Sequence, residues 1–142
     1  MSNFTVGDVT GAHSLPRLLI ADDDPVVSSM LSAQLSRTFA VVAGARDAQE
    51  AIDEAGRHQP DIAIIDVQMP HGGGLRATQE IMACSPGTAI VAFSADESDQ
   101  LVRSMLAAGA TSYVRKGTPP HELAVILQQS IEAHGQLRAA EA

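Results

Sequence analysis

Four positions in this chain carry groups that could do chemistry together: the acidic run Asp22-Asp23-Asp24, the acid Asp66, the hydroxyl of Ser94 and the amine of Lys116. Carboxylates brought close repel one another and drift towards the neutral form unless a cation offsets them. A hard divalent ion suits oxygen ligands, and Mg2+ in particular takes one or two carboxylates and keeps waters for an incoming phosphate. An aspartate can attack phosphorus and form an acyl phosphate. The transferring group then needs positive charge and donors around its oxygens, which a lysine and a hydroxyl supply. Taken together, these residues read as a Mg2+-assisted phosphoryl acceptor with Asp66 as the nucleophile.

That reading requires a scaffold which delivers all of them to one place. Each follows a short apolar run. Arg17-Leu18-Leu19-Ile20-Ala21 leads to Asp22, Asp61-Ile62-Ala63-Ile64-Ile65 to Asp66, Thr88-Ala89-Ile90-Val91-Ala92-Phe93 to Ser94, and Thr111-Ser112-Tyr113-Val114-Arg115 to Lys116. Such runs, bounded by Pro and Gly, predict strands buried on both faces. Phe39–Ala45 predicts the remaining strand.

Helical patterns alternate with the strands. Asp24 and Pro25 mark an N-cap and first turn, with Val26, Val27, Met30, Leu31 and Leu35 at helical spacing. Asp47 caps a helix with Ala48, Ala51, Ile52 and Ala55 inward, closed by Gly56. Gly72-Gly73-Gly74 reads as a flexible connector before a helix with Leu75, Ile81 and Met82 inward. A fourth helix buries Leu101, Val102, Met105 and Leu106 and stops at Gly109, and a last helix from Pro119-Pro120 buries Leu123, Ile126, Leu127 and Ile131. Strict strand–helix alternation predicts an α/β fold, a doubly wound parallel sheet with helices on both faces. All strand C-termini then share one edge, where ligands bind in such sheets.

Composition narrows the function classes. A length of 142 residues predicts one domain with a proper core. The net charge of −8 opposes nucleic acid as the main partner. Cys84 is the single cysteine, which excludes an intrachain disulfide and fits a reducing, cytoplasmic setting. No stretch is a membrane span or a signal peptide. His13, His58, His71, His121 and His134 share no metal spacing and read as surface residues, His71 nearest the site. Cys84 reads as a packed thiol, and Met30, Met82 and Met105 as core. Residues 1–16 read as a flexible extension, 17–137 as the domain, and 138–142 as a tail or linker.

With these motifs in view, the chain resembles the receiver domain of bacterial two-component response regulators, such as those of LuxR/NarL-type regulators. The resemblance rests on Leu19-Ile20-Ala21-Asp22-Asp23-Asp24-Pro25, Ile65-Asp66-Val67-Gln68-Met69-Pro70, Ala92-Phe93-Ser94-Ala95 and Gly109-Ala110-Thr111-Ser112-Tyr113-Val114-Arg115-Lys116. It implies a flavodoxin-like (βα)5 sheet of order 2-1-3-4-5. It implies that Asp66 accepts a phosphoryl group from a sensor histidine kinase. Asp22, Asp23, Asp66 and the backbone carbonyl of Gln68 would hold Mg2+. Ser94 would be the switch hydroxyl, Tyr113 the coupled aromatic that turns inward, and Lys116 the phosphoryl-binding cation. The output surface, and a homodimer interface, would be the fourth helix, fifth strand and fifth helix. Gly117 stands where the family often has Pro.

The competing reading is an enzyme. Asp22-Asp23-Asp24 superficially matches the Asp-x-Asp nucleophile of haloacid-dehalogenase-like phosphatases, with Asp22 attacking, but leaves Asp66 without a role and lacks the further acidic pair. On the receiver reading the chain is not an enzyme, beyond accepting and losing its own phosphoryl group. DNA would be reached only through an output domain absent from this chain. The segment Lys116-Gly117-Thr118-Pro119-Pro120 resembles receivers that precede helix-turn-helix domains, which favours a fragment over a stand-alone protein.

Overall fold

The computed structural model describes residues 14–96 and 100–141. The expected extension therefore lies largely outside the described residues, although Pro16 already joins the sheet by accepting from the Ala40 amide at 2.8 Å.

Five parallel strands, β1 (Arg17–Ala21), β2 (Ala40–Ala45), β3 (Ile62–Asp66), β4 (Ala89–Ser94) and β5 (Ser112–Arg115), lie in the order β2-β1-β3-β4-β5. This is the expected order. The helices between and after them are α1 (Pro25–Leu35), α2 (Ala48–His58), α3 (Gly73–Cys84), α4 (Gln100–Ala108) and α5 (Pro120–Glu141).

Successive strand residues point to opposite faces, so each apolar run feeds two cores. Leu19, Ala21, Ala63, Ile65, Ile90 and Ala92 pack with α2, α3 and α4. Leu18, Ile20, Ile62, Ile64, Val91 and Phe93 pack with α1 and α5. Burial on both faces explains why these strands read as continuous apolar runs rather than alternating ones.

Caps behave largely as expected. The Asp24 carboxylate accepts from the Val26 amide at 2.9 Å, and Asp47 from the Glu50 amide at 2.8 Å. Several local expectations are corrected. Gly56 does not close α2. The helix runs on to His58 and ends at Gln59, which takes the left-handed conformation itself (φ 48°) and donates its amide to Ala55. The Gly72–Gly74 segment is not a free connector, because Gly73 and Gly74 form the first turn of α3. Phe39 stands before β2 rather than in it, buried, with its amide on the Leu35 carbonyl. Thr111 and Lys116 flank β5.

Side-chain placement differs too. In α1 only Leu31 and Leu35 are fully buried; Val26 is 73% exposed and Met30 is also exposed. The apolar band from Val26 to Leu35 is wider than the face that packs, and Ser28 and Ser32 share that face, so spacing alone did not choose the inner side. Cys84 is exposed rather than packed. His134 is buried, with Nε2 2.8 Å from the Pro86 carbonyl, because it continues the inward stripe Leu123, Leu127, Ser130 of α5. The residues expected as a tail continue α5 to Glu141. Among the described residues no helix is long and apolar enough to cross a membrane.

Candidate functional site

Three strand ends converge as the topology demands. β1 delivers Asp22, whose amide donates to Ala45 of β2 at 3.0 Å and whose Oδ1 accepts from the Asp24 amide at 2.9 Å. β3 ends on Asp66, whose Oδ1 accepts from the Gln68 amide at 3.2 Å. Just past β5, the Lys116 amide donates to the Ser94 carbonyl at the end of β4, at 2.8 Å, which extends the ladder by one bond and seats the lysine over the edge.

Its ammonium stands 3.2 Å from Asp22 Oδ2 and 3.3 Å from Asp66 Oδ2. Nζ also lies 5.4 Å from the centroid of the Phe93 ring, close enough for a cation–π attraction. Asp22 and Asp66 are both buried, and Asp23 beside them is exposed. The cleft above them, about 410 Å³, is lined by Asp23, Asp66, Val67, Gln68, Ser94, Ala95, Asp96 and Lys116.

The electrostatics follow from this burial. Desolvation pushes Asp66 up to about 6, reinforced by the Asp22 charge and opposed by the Gln68 amide and by Lys116. For Lys116, burial works against the charged form, but the charges of Asp66 and Asp22 outweigh it and hold its pKa above the usual value. One cation thus faces two buried anions, with a third acid at the rim.

Carboxylate oxygens of Asp22, Asp23 and Asp66 lie within 4.8 Å of one another. Asp22 Oδ2 is buried and makes no well-directed hydrogen bond, only the approach of Lys116. An all-oxygen donor set around a buried carboxylate oxygen whose one neighbour is the Lys116 ammonium is compatible with a hard divalent ion.

The remaining expected residues are placed less centrally. Ser94 is buried, and its hydroxyl donates to the Asp96 carbonyl at 2.9 Å and accepts from the Asp96 amide at 3.1 Å. Tyr113 is 37% exposed and is not among the residues lining the cleft. His71 turns away, with Nε2 3.8 Å from Asp47 Oδ2. Two contributors were missed in the sequence. Phe93 floors the lysine, a role its place immediately before Ser94 could have suggested. Asp96 lines the cleft and holds the Ser94 hydroxyl, and only the loop geometry reveals it.

The phosphatase alternative loses its footing here. Asp24, its second motif acid, is consumed as the N-cap of α1, while Asp66 occupies the centre that reading leaves idle.

Comparison with known proteins agrees. The family described as response regulator receiver domain matches residues 18–128. The transcriptional regulatory protein YxjL of Bacillus subtilis is 35% identical over 111 residues, covering 75% of this chain and 50% of that protein. The oxygen regulatory protein NreC of Staphylococcus epidermidis is 36% identical over 110 residues, with the same coverages of 75% and 50%. The chain thus spans about half the length of the curated relatives it matches. The crystal structure of a LuxR-family two-component response regulator from Aurantimonas sp. SI85-9A1 superposes with a TM-score of 0.78 at 30% identity, over 84% of this chain and 87% of that one. By fold, by the gathered acidic edge and by this family match, the chain belongs to the receiver domains of two-component response regulators.

Proposed function

We propose that Asp66 is the phospho-acceptor, charged from the phosphohistidine of a sensor histidine kinase, with Mg2+ held by Asp22, Asp23, Asp66 and the Gln68 backbone carbonyl. The observation that carries this reading is the Lys116 ammonium poised 3.2 and 3.3 Å from two buried carboxylates at the mouth of an open cleft.

One oxygen of the ionised Asp66 attacks phosphorus. The new P–O bond forms as the P–N bond to the donor imidazole breaks, and the imidazole leaves with the electron pair and takes a proton from water. Mg2+ held by these residues would supply positive charge to the transferring oxygens and to the crowded carboxylates. Lys116 exchanges the Asp66 carboxylate for a phosphoryl oxygen. Ser94 leaves Asp96 and donates to another, and Tyr113 turns in from its exposed position on β5. The site accepts and releases its own phosphoryl group and turns over no other substrate.

The readout surface is α4-β5-α5, which also carries a homodimer contact. Leu106, Tyr113 and Val125, large apolar side chains exposed on these three elements, support that reading. DNA is reached only through an output domain such as its transcriptional relatives carry. The kinase meets this domain in the cytoplasm. The test is intact mass after incubation with acetyl phosphate and Mg2+: wild type gains one phosphoryl group and Asp66→Asn gains none. An unlabelled wild type sinks the reading.

A further inference from the structure

We propose that Gly74 is a positioning residue for Asp66, setting where the main chain of the phospho-acceptor sits; the inference rests on Asp66 being that acceptor. Gly74 lies in the first turn of α3 and is buried. Glycine is among the poorest residues in a helix interior, so its place here needs a reason. Conformation does not supply one, since Gly72 (φ 109°) and Gly73 (φ 70°) take the left-handed region and Gly74 does not.

The reason is space. A methyl group at position 74 would stand 2.6 Å from the carbonyl oxygen of Asp66, and 2.8 and 3.0 Å from Sδ and Cε of Met105. The Gly74 amide meanwhile donates to the Val67 carbonyl at 3.1 Å, binding the helix start to the residue after Asp66. α3 is therefore pressed directly onto the backbone of the nucleophile, and Met105, fully buried in α4, closes the other side.

These two contacts differ in kind. The end of the Met105 side chain can swing aside, as thioethers adapt readily. The Asp66 carbonyl is main chain at the end of a fully buried strand. It can yield only by moving Asp66, whose carboxylate must keep its places beside the Gln68 amide and Lys116. A side chain at 74 is thus paid for in the alignment of the acceptor.

The test is the first-order rate of acetyl phosphate labelling at saturating Mg2+, read beside the thermal midpoint of each variant. Gly74→Ala is expected to slow labelling by about 10- to 100-fold, the scale of a sub-ångström to ångström misplacement of a reacting group. Met105→Ala alone should label at the wild-type rate, though with a lower midpoint. Gly74→Ala with Met105→Ala removes the side-chain half of the clash; it should regain midpoint relative to Gly74→Ala yet stay slow. Gly73→Ala, whose new methyl would face the Val67 carbonyl at 3.3 Å instead, controls for strain in the loop; it should label faster than Gly74→Ala.

Full recovery of the rate in the double variant would show that Gly74 only makes room for Met105, and would overturn the proposal. So would a Gly74→Ala protein that labels normally. If Gly74→Ala does not fold, the double variant carries the test. A double variant that is unfolded while Met105→Ala folds also overturns it, since the clash is then borne by the fold rather than by Asp66. A wild type without label at Asp66 overturns the parent reading, whereas a labelled wild type with an unaffected Gly74→Ala overturns this inference alone.

Discussion

The two edges of the sheet both bury polar groups, and they treat them in opposite ways. At the edge where strands begin, the Thr88 hydroxyl donates to the Pro60 carbonyl at 2.7 Å and lies 2.7 Å from Ser85 Oγ. The Gln59 side-chain amide satisfies the Gly56 and Cys84 carbonyls, and His134 meets that of Pro86. All these groups are paired within the protein and fasten loops to helices. At the edge where strands end, two buried carboxylates share one ammonium and Asp22 Oδ2 lacks a proper hydrogen bond. The first edge is neutralised by local pairing, with the Thr111 hydroxyl before β5 the one buried side-chain group there without a partner among the described residues, and it stabilises the fold; the other is left charged and crowded, which suits a ligand.

The sharpest contrast is chemical. Asp66→Asn should abolish phosphoryl labelling, while changes at Thr88 or His134 leave it intact; intact mass under identical Mg2+ and acetyl phosphate checks both halves. Labelling that depended equally on Thr88 would break the comparison.

The next effect concerns stability. Burial pushes Asp66 up to about 6 from its ordinary value of 3.8. The folded state therefore binds this proton more tightly than the unfolded state, so the Asp66 contribution to stability falls as pH rises from about 4 to 6. Solvent at the open cleft screens part of this difference, so the loss across that interval is on the order of 1–2 kcal/mol. Asp66→Asn lacks this dependence. Denaturant titrations without Mg2+ should show the variant gaining on wild type across that interval and more stable near neutral pH. Adding Mg2+ should shrink the gap by stabilising wild type.

At the satisfied edge the sign reverses. Thr88→Val strips the Pro60 carbonyl of its buried donor, a loss of about 1–3 kcal/mol at every pH in the same titrations. His134→Leu removes a single hydrogen bond and should cost less, about 0.5–1.5 kcal/mol, again with labelling unchanged. A stabilising Thr88→Val would erase the distinction between the edges.

Much of this edge contrast is legible in the chain itself, because apolar strands ending in Asp22, Asp66, Ser94 and Lys116 can only share an edge once the connections are helical. The satisfied edge is nearly invisible in sequence. Thr88, Gln59 and His134 are ordinary polar residues until Pro60, Cys84 and Pro86 are brought alongside by contacts between distant segments. The exposed face of α1 was hidden for a related reason: Val26, Val27, Met30, Leu31 and Leu35 make an apolar band wider than the face that packs, and with small serines opposite them the amphipathic signal is too weak to choose a side.

Local sequence by itself determined the strand and helix order, the caps at Asp24 and Asp47 and the residue types at the acidic edge, because hydrophobic period and capping act over a few neighbouring residues. Tertiary structure alone decided that Lys116 spans Asp22 and Asp66, that burial pushes Asp66 above the usual carboxylate range, that His134 turns inward, and that Gly74 lies against the Asp66 carbonyl. Those are matters of desolvation and of distances across the fold, which no stretch of chain sets alone.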